Sequence, residues 1–203
     1  EPFRASLRAR TRFVVATPAI AAACVLVFLL AAAAPGPLSN PDTRLAWGAN
    51  YGPLTTRGEW WRLVSSASIH AGALALLIKV AALVQAGAIV ERILGRLAFV
   101  VVYVGATAAA GVADLSAAPV AVHEGAAGAI GGLYGALLAL WICGLRRSPR
   151  SIPLRALGWL APVAFLFWVS SLADGDTAGA LAGLAAGSLL SFALGRDAVE
   201  AKP

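Results

Sequence analysis

The sequence predicts an all-α polytopic membrane protein: six transmembrane helices in one bundle, a long folded first outer loop, and both termini in the cytoplasm. Three observations carry this. Mean hydropathy is +0.80 and only 13% of the 203 residues are charged, whereas soluble domains carry nearer a quarter. Six apolar runs approach the roughly 20 residues needed to cross a bilayer core of about 30 Å at about 1.5 Å per residue. Lysine and arginine are concentrated in alternate connections, as the positive-inside rule requires.

The elements follow in order. Residues 1–12 form a basic cytoplasmic tail with Arg4, Arg8, Arg10 and Arg12, and residues 13–195 form the membrane domain. Its first span, Phe13–Ala34, follows basic residues as a signal peptide would, but it is too long for a signal h-region and reads as a retained helix. The outer loop, residues 35–70, mixes turn residues with amphipathic stretches such as "EWWRLVSSA", so it is expected to fold into the interface. The second span is Ala71–Val90. The cytoplasmic turn with Arg92 and Arg96 leads to the third, Leu97–Val112, with room to run on to Ala117. The fourth is Ala127–Leu145; a basic connection with Arg146, Arg147, Arg150 and Arg155 precedes the fifth, Ala156–Leu172. The sixth, Thr177–Leu194, is followed by a cytoplasmic tail, 196–203, with Arg196 and Lys202. The outer side carries Arg44, Arg57 and Arg62 beside Asp42, Glu59, Asp114, Glu124, Asp174 and Asp176. The net charge of +6 therefore follows topology, and no nucleic-acid partner is implied. Trp47, Trp60, Trp61 and Trp168 fall near outer ends and Trp141 and Trp159 near inner ends, an aromatic belt at both interfaces.

Small residues recur at helix-packing spacing. In the fourth span Gly128 and Gly132, and Gly131 and Gly135, stand four apart; in the sixth, Gly179, Gly183 and Gly187 form a line. Such spacing lets two backbones approach closely where lipid removes the hydrophobic drive, so these two spans are expected to pack at the bundle centre. Cys24 and Cys143 lie in apolar runs and behave as small hydrophobes. No cofactor motif and no metal-ligand spacing stands out.

From about Leu45 to Gly195 the chain resembles the rhomboid intramembrane serine proteases. "WGANYGPLTTRGEWWRLVSSASIHAG" is similar to the family's first loop, including the pair Trp61–Arg62. "VERILGRLAF" is similar to its cytoplasmic turn, with Glu91 and Gly95 in place. "GAAGAIGGLYGALLAL" resembles the nucleophile turn and fourth helix, and "DGDTAGALAGLAAG" the start of the sixth. The resemblance implies a rhomboid-like bundle. It also implies where the chemistry would sit: a Gly-x-Ser-Gly turn supplies the nucleophile, a sixth-helix histidine the base, and a histidine and an asparagine on the second helix stabilise the oxyanion. The turn here is Gly125-Ala126-Ala127-Gly128, which puts Ala127 at the nucleophile position. The base position, three before Gly183, is Ala180, and the oxyanion positions are Ala75 and Lys79.

Every position that would carry the chemistry is thus changed. A methyl group cannot attack a carbonyl, and no base stands at Ala180 to activate a neighbour. Loss of one dyad member costs serine proteases on the order of a millionfold in turnover. The expectation is a pseudoprotease that binds transmembrane helices, as a subunit, assembly factor or escort of a membrane-embedded client or larger complex, in a bacterial inner membrane by its alanine and arginine usage. Two alternatives stand beside it: a protease or hydrolase with relocated residues, using His70 or His123 with a serine among Ser66, Ser68, Ser170 and Ser171, or a lipid or small-molecule binder using Lys79.

Lys79 lies nine residues inside the second span, roughly 13 Å below its outer end. A mid-span lysine costs about 2.5–3.5 kcal/mol on insertion scales, so a partner or polar cavity is required. Glu124 and Asp176 are the candidate partners by membrane side; a client's carboxylate or a lipid group is the functional alternative. His70, His123 and Glu124 are expected as solvated interface residues. Glu91 and Arg92 are expected to cap the second helix and pair across the cytoplasmic turn.

Overall fold

The computed structural model describes residues 13–147 and 158–200. The basic tail 1–12, Arg150, Arg155 and Lys202 lie outside them. Nine α-helices are described: α1 (Ala16–Ala33), α2 (Pro41–Ala46), α3 (Gly52–Thr55), α4 (Arg62–Ser65), α5 (Ala73–Leu94), α6 (Arg96–Ala117), α7 (Ala127–Arg147), α8 (Ala161–Asp174) and α9 (Thr177–Glu200). Each of the six apolar runs contains a helix; of the fifth, residues 156–157 lie outside the described residues and the helix is Ala161–Asp174. Ala16–Ala33, Ala73–Leu94, Arg96–Ala117 and Thr177–Leu194 are long and apolar enough to cross a membrane, and Ala127–Ile142 and Ala161–Asp174 are shorter apolar helices. The molecule is a polytopic helical membrane protein. The last helix does not stop at the membrane boundary read from hydropathy but runs on to Glu200.

Local chemistry sets the breaks. Gly95 takes φ +85 between α5 and α6, and Gly175 takes the left-handed conformation (φ +78) that ends α8. The outer loop is folded. Asn40 caps α2 by accepting the Asp42 N–H, and Pro41 opens the helix. An antiparallel bridge joins Asn50 to His123, and the Gly52 N–H donates to the Pro119 carbonyl. Arg62 is the loop's fastener. Its Nη1 donates to the Leu45 and Ala49 carbonyls at 2.7 and 2.9 Å, its Nε pairs with Glu59, and its guanidinium stacks 4.6 Å from the Trp61 ring.

The core gathers Leu83 and Val90 of α5, Phe99 and Val102 of α6 and Ile130 and Leu133 of α7. At its centre α9 packs against both α7 and α6. A β-carbon at Gly183 would strike the Gly128 carbonyl, one at Gly187 the Gly132 carbonyl, one at Gly131 the Ala180 carbonyl and one at Gly135 the Leu184 carbonyl. On the far side of α7, Gly128 and Gly132 meet Ala110 and Ala106 of α6. The glycine spacing is thus a backbone-to-backbone seam, held by packing rather than by expulsion of water.

Glu91 differs from expectation. It is fully buried and caps α1, not its own helix: its carboxylate accepts the N–H groups of Val15, Ala16 and Thr17 and the Thr17 hydroxyl, all at 2.8–2.9 Å. Three of the four orphan donors of a helix N-terminus are satisfied by a negative charge at the positive end of its dipole. The acid in this turn serves a helix 74 residues away, which local spacing could not reveal. Glu91→Ala is expected to lower stability by about 2 kcal/mol, with Glu91→Gln recovering part of it; thermal unfolding in detergent measures both.

Candidate functional site

The site lies at the outer end of the bundle. The turn before α7 is held by Gly125, which adopts φ +89 and donates its N–H to the Ser66 carbonyl at 2.8 Å. That turn delivers Ala127 as the first residue of α7, 3% exposed. Ala180 of α9 is fully buried, its backbone pressed against Gly131. Both positions therefore lie inside the α7–α9 region with only a methyl group to offer.

Ala75 and Lys79, one turn apart on α5, both line a cavity of about 160 Å³ together with Arg44, His70, Val122, Glu124, Asp174 and Asp176. The Lys79 ammonium lies against Gly125, where a β-carbon would come within 2.7 Å of it. It is held by Asp176 Oδ2 at 3.0 Å and Asp174 Oδ2 at 3.1 Å. Of the two expected partners, Asp176 takes the lysine, while Glu124 pairs with Arg44 of the outer loop. Asp174 was not anticipated. The signal for it is "DGD": a left-handed glycine ends α8 and sets one carboxylate on each side of the turn, with the Asp176 N–H donating to the Ser171 carbonyl. Arg44 was also missed, since it comes from a loop remote in sequence. Burial raises the Asp176 carboxyl above the usual range, opposed by Lys79. Burial likewise raises Glu124, opposed by Arg44.

His70 is not solvated. It is 3% exposed, and its Nδ1 lies 3.3 Å from the Ser68 carbonyl. Burial, with the nearby Lys79 charge, lowers its pKa to about 4, so the ring is neutral at ordinary pH. His123 does not line the cavity; its Nε2 bonds the Ala118 carbonyl at 2.9 Å. Among the described residues neither histidine is hydrogen-bonded to a serine hydroxyl. Ser66 and Ser68 engage their neighbours through carbonyls, Ser170 bonds Asp174, and the buried Ser171 hydroxyl has no partner. The Asp114 carboxylate of α6 lies against Gly179 in the first turn of α9, where a β-carbon would strike it. Among the described residues no group of three or more His, Cys, Asp or Glu is placed to hold a metal. The arrangement can bind and orient charged groups; Ala75, Ala127 and Ala180 carry only methyl groups, and the Lys79 ammonium is held by two aspartates.

Comparison with known proteins bears on the family of the fold. A family model described as "Rhomboid domain" matches residues 57–197. The chain is 33% identical over 166 residues to "Rhomboid protease GluP" of Bacillus subtilis (strain 168), covering 79% of this chain and 31% of that protein. It is 37% identical over 92 residues to "Putative rhomboid protease YdcA" of the same organism, covering 45% of each. The chain thus spans less than half the length of either curated relative.

Proposed function

Since the chain belongs to the rhomboid family, we propose that it is a pseudoprotease of that family, one that binds transmembrane helices without cutting them. It acts in a bacterial inner membrane, with both termini cytoplasmic, as a subunit, assembly factor or escort of another membrane protein. The observation that carries the reading is the pair Ala127 and Ala180, buried at the α7–α9 seam where a nucleophile and its base would have to meet. The lysine in an oxyanion position supports it further, since Asp174 and Asp176 occupy its charge. With the reaction removed, the helix-recognising body is what remains for selection to use.

Purified protein in liposomes, mixed with a fluorescently labelled single-span reporter, tests both halves of this reading. The expected result is energy transfer between protein and reporter, with no cleavage above protein-free liposomes. Cleavage that disappears in His70→Ala or Ser171→Ala would establish relocated catalysis instead. Absence of energy transfer to any of a panel of single-span reporters would remove the helix-binding half.

A further inference from the structure

The outer cavity carries a charge imbalance at the level where a helix in the membrane would end. Arg44 and Lys79 bring two positive charges to its wall, and Glu124, Asp174 and Asp176 bring three negative ones. His70, the other titratable residue of the wall, is buried and neutral at ordinary pH. Arg44 is answered by Glu124, and Lys79 is shared by the two aspartates. The surplus negative charge therefore lies on the Asp174–Asp176 pair. Both carboxylates hold the same ammonium, at 3.1 and 3.0 Å, which keeps them close enough to attract one further cation together.

That surplus is reachable. The Asp174 side chain is 35% exposed and that of Asp176 10%, and the cavity beside them has a volume of about 160 Å³. This is room for about five water-sized groups, the size of an ammonium on a four-carbon stem. An anion is disfavoured, since both cations of the wall are already held by carboxylates. The rim indicates where the cation comes from. Leu172, two residues before Asp174 on α8, is exposed, and so are Leu74 and Leu77 on either side of Ala75 on α5. Apolar, lipid-facing residues thus flank the charged wall in the chain, which suits the end of an apolar helix better than a free amine in water.

We infer that this cavity recognises the outer flank of the client, taking a lysine side chain from just beyond the outer end of the client's transmembrane helix and setting its ammonium against Asp174 and Asp176. The inference rests on the helix-binding reading and names the feature by which a client is chosen. Lysine and arginine are concentrated on cytoplasmic flanks, so a lysine on the outer flank is an uncommon mark. A site that answers to it separates a few clients from the many other spans of the membrane. Glutamine at the same place carries no charge and leaves the surplus on the aspartates unanswered.

The test uses the whole chain in phosphatidylcholine liposomes, where no anionic lipid competes for the lysine. Labelled single-span reporters differ in one residue only: lysine or glutamine, placed in turn at each outer-flank position over one helical turn. Energy transfer is titrated for each. On one side of the helix, lysine is expected to bind about fivefold or more tightly than glutamine, and added sodium chloride is expected to shrink that ratio. The same exchange at the inner flank should make no difference. In Asp174→Asn the outer-flank preference is expected to disappear. Equal binding of the lysine and glutamine reporters by wild-type protein overturns the inference and leaves helix binding standing. A preference that is the same at every outer position, or that survives in Asp174→Asn, also overturns it, because the attraction then comes from the general field and not from this cavity. No transfer from any reporter removes the helix-binding reading and the inference together. The wild-type titrations decide by themselves if the variant fails to fold.

Discussion

Lys79→Leu is expected to lower the stability of the bundle by about 3 kcal/mol, although it removes a charge from a membrane helix. The side chain is 3% exposed and bridges Asp176 and Asp174, whose side chains are 10% and 35% exposed. Removing the lysine leaves the better buried carboxylate without its counter-charge, and that loss exceeds the gain from an easier insertion of α5. The half-exposed Asp174 adds less, because water screens it. Equilibrium or thermal unfolding in detergent measures the change. The triple variant Lys79→Leu, Asp174→Asn, Asp176→Asn is expected to recover most of it, since no ion is then left alone. A rise in stability for the single variant would mean that the two aspartates do not need this lysine, and its place beside Gly125 would then require a ligand to explain it.

Gly183→Val is expected to be at least as damaging, at about 3 kcal/mol or more. The obstacle is the Gly128 carbonyl on the facing helix, which cannot rotate away as a side chain would. The α7 and α9 backbones must separate, and the neighbouring contacts of Gly187 with Gly132 and of Gly131 with Ala180 lie on the same seam. Gly183→Ala should show the same direction with a smaller effect. Gly72→Ala is the control: nothing lies within 4 Å of a β-carbon there, so its midpoint should stay near wild type. If Gly183→Val unfolds no sooner than Gly72→Ala, the helices are not in backbone contact.

What could be read without coordinates divides along physical lines. The apolar runs were legible because a bilayer imposes one length on every span, and the glycine seam because close helices need small residues at a fixed interval. The Trp61–Arg62 pair, the turn around Gly125 and the changed positions Ala127 and Ala180 were legible through resemblance to a family. Contacts between remote segments were not. Glu91 sits in the turn after α5 yet caps α1, and no periodicity links it to Val15, Ala16 and Thr17. Glu124 follows His123 in the chain but takes Arg44 from 80 residues upstream. The exposure of His70 was misread for a related reason. Its position at a helix entrance suggests water, and only the fold shows the outer loop and the α8–α9 turn closing over it.

The order of the chain gives the central seam a consequence for biogenesis. The helix that fills the middle of the bundle, α9, follows the other five spans in sequence, so it reaches the membrane after them. Until it arrives, α6 and α7 present a groove of bare glycine and alanine backbone, with the Gly128 and Gly132 carbonyls facing lipid rather than a partner. The nascent bundle therefore spends the interval before its final insertion with its most adhesive surface unsealed.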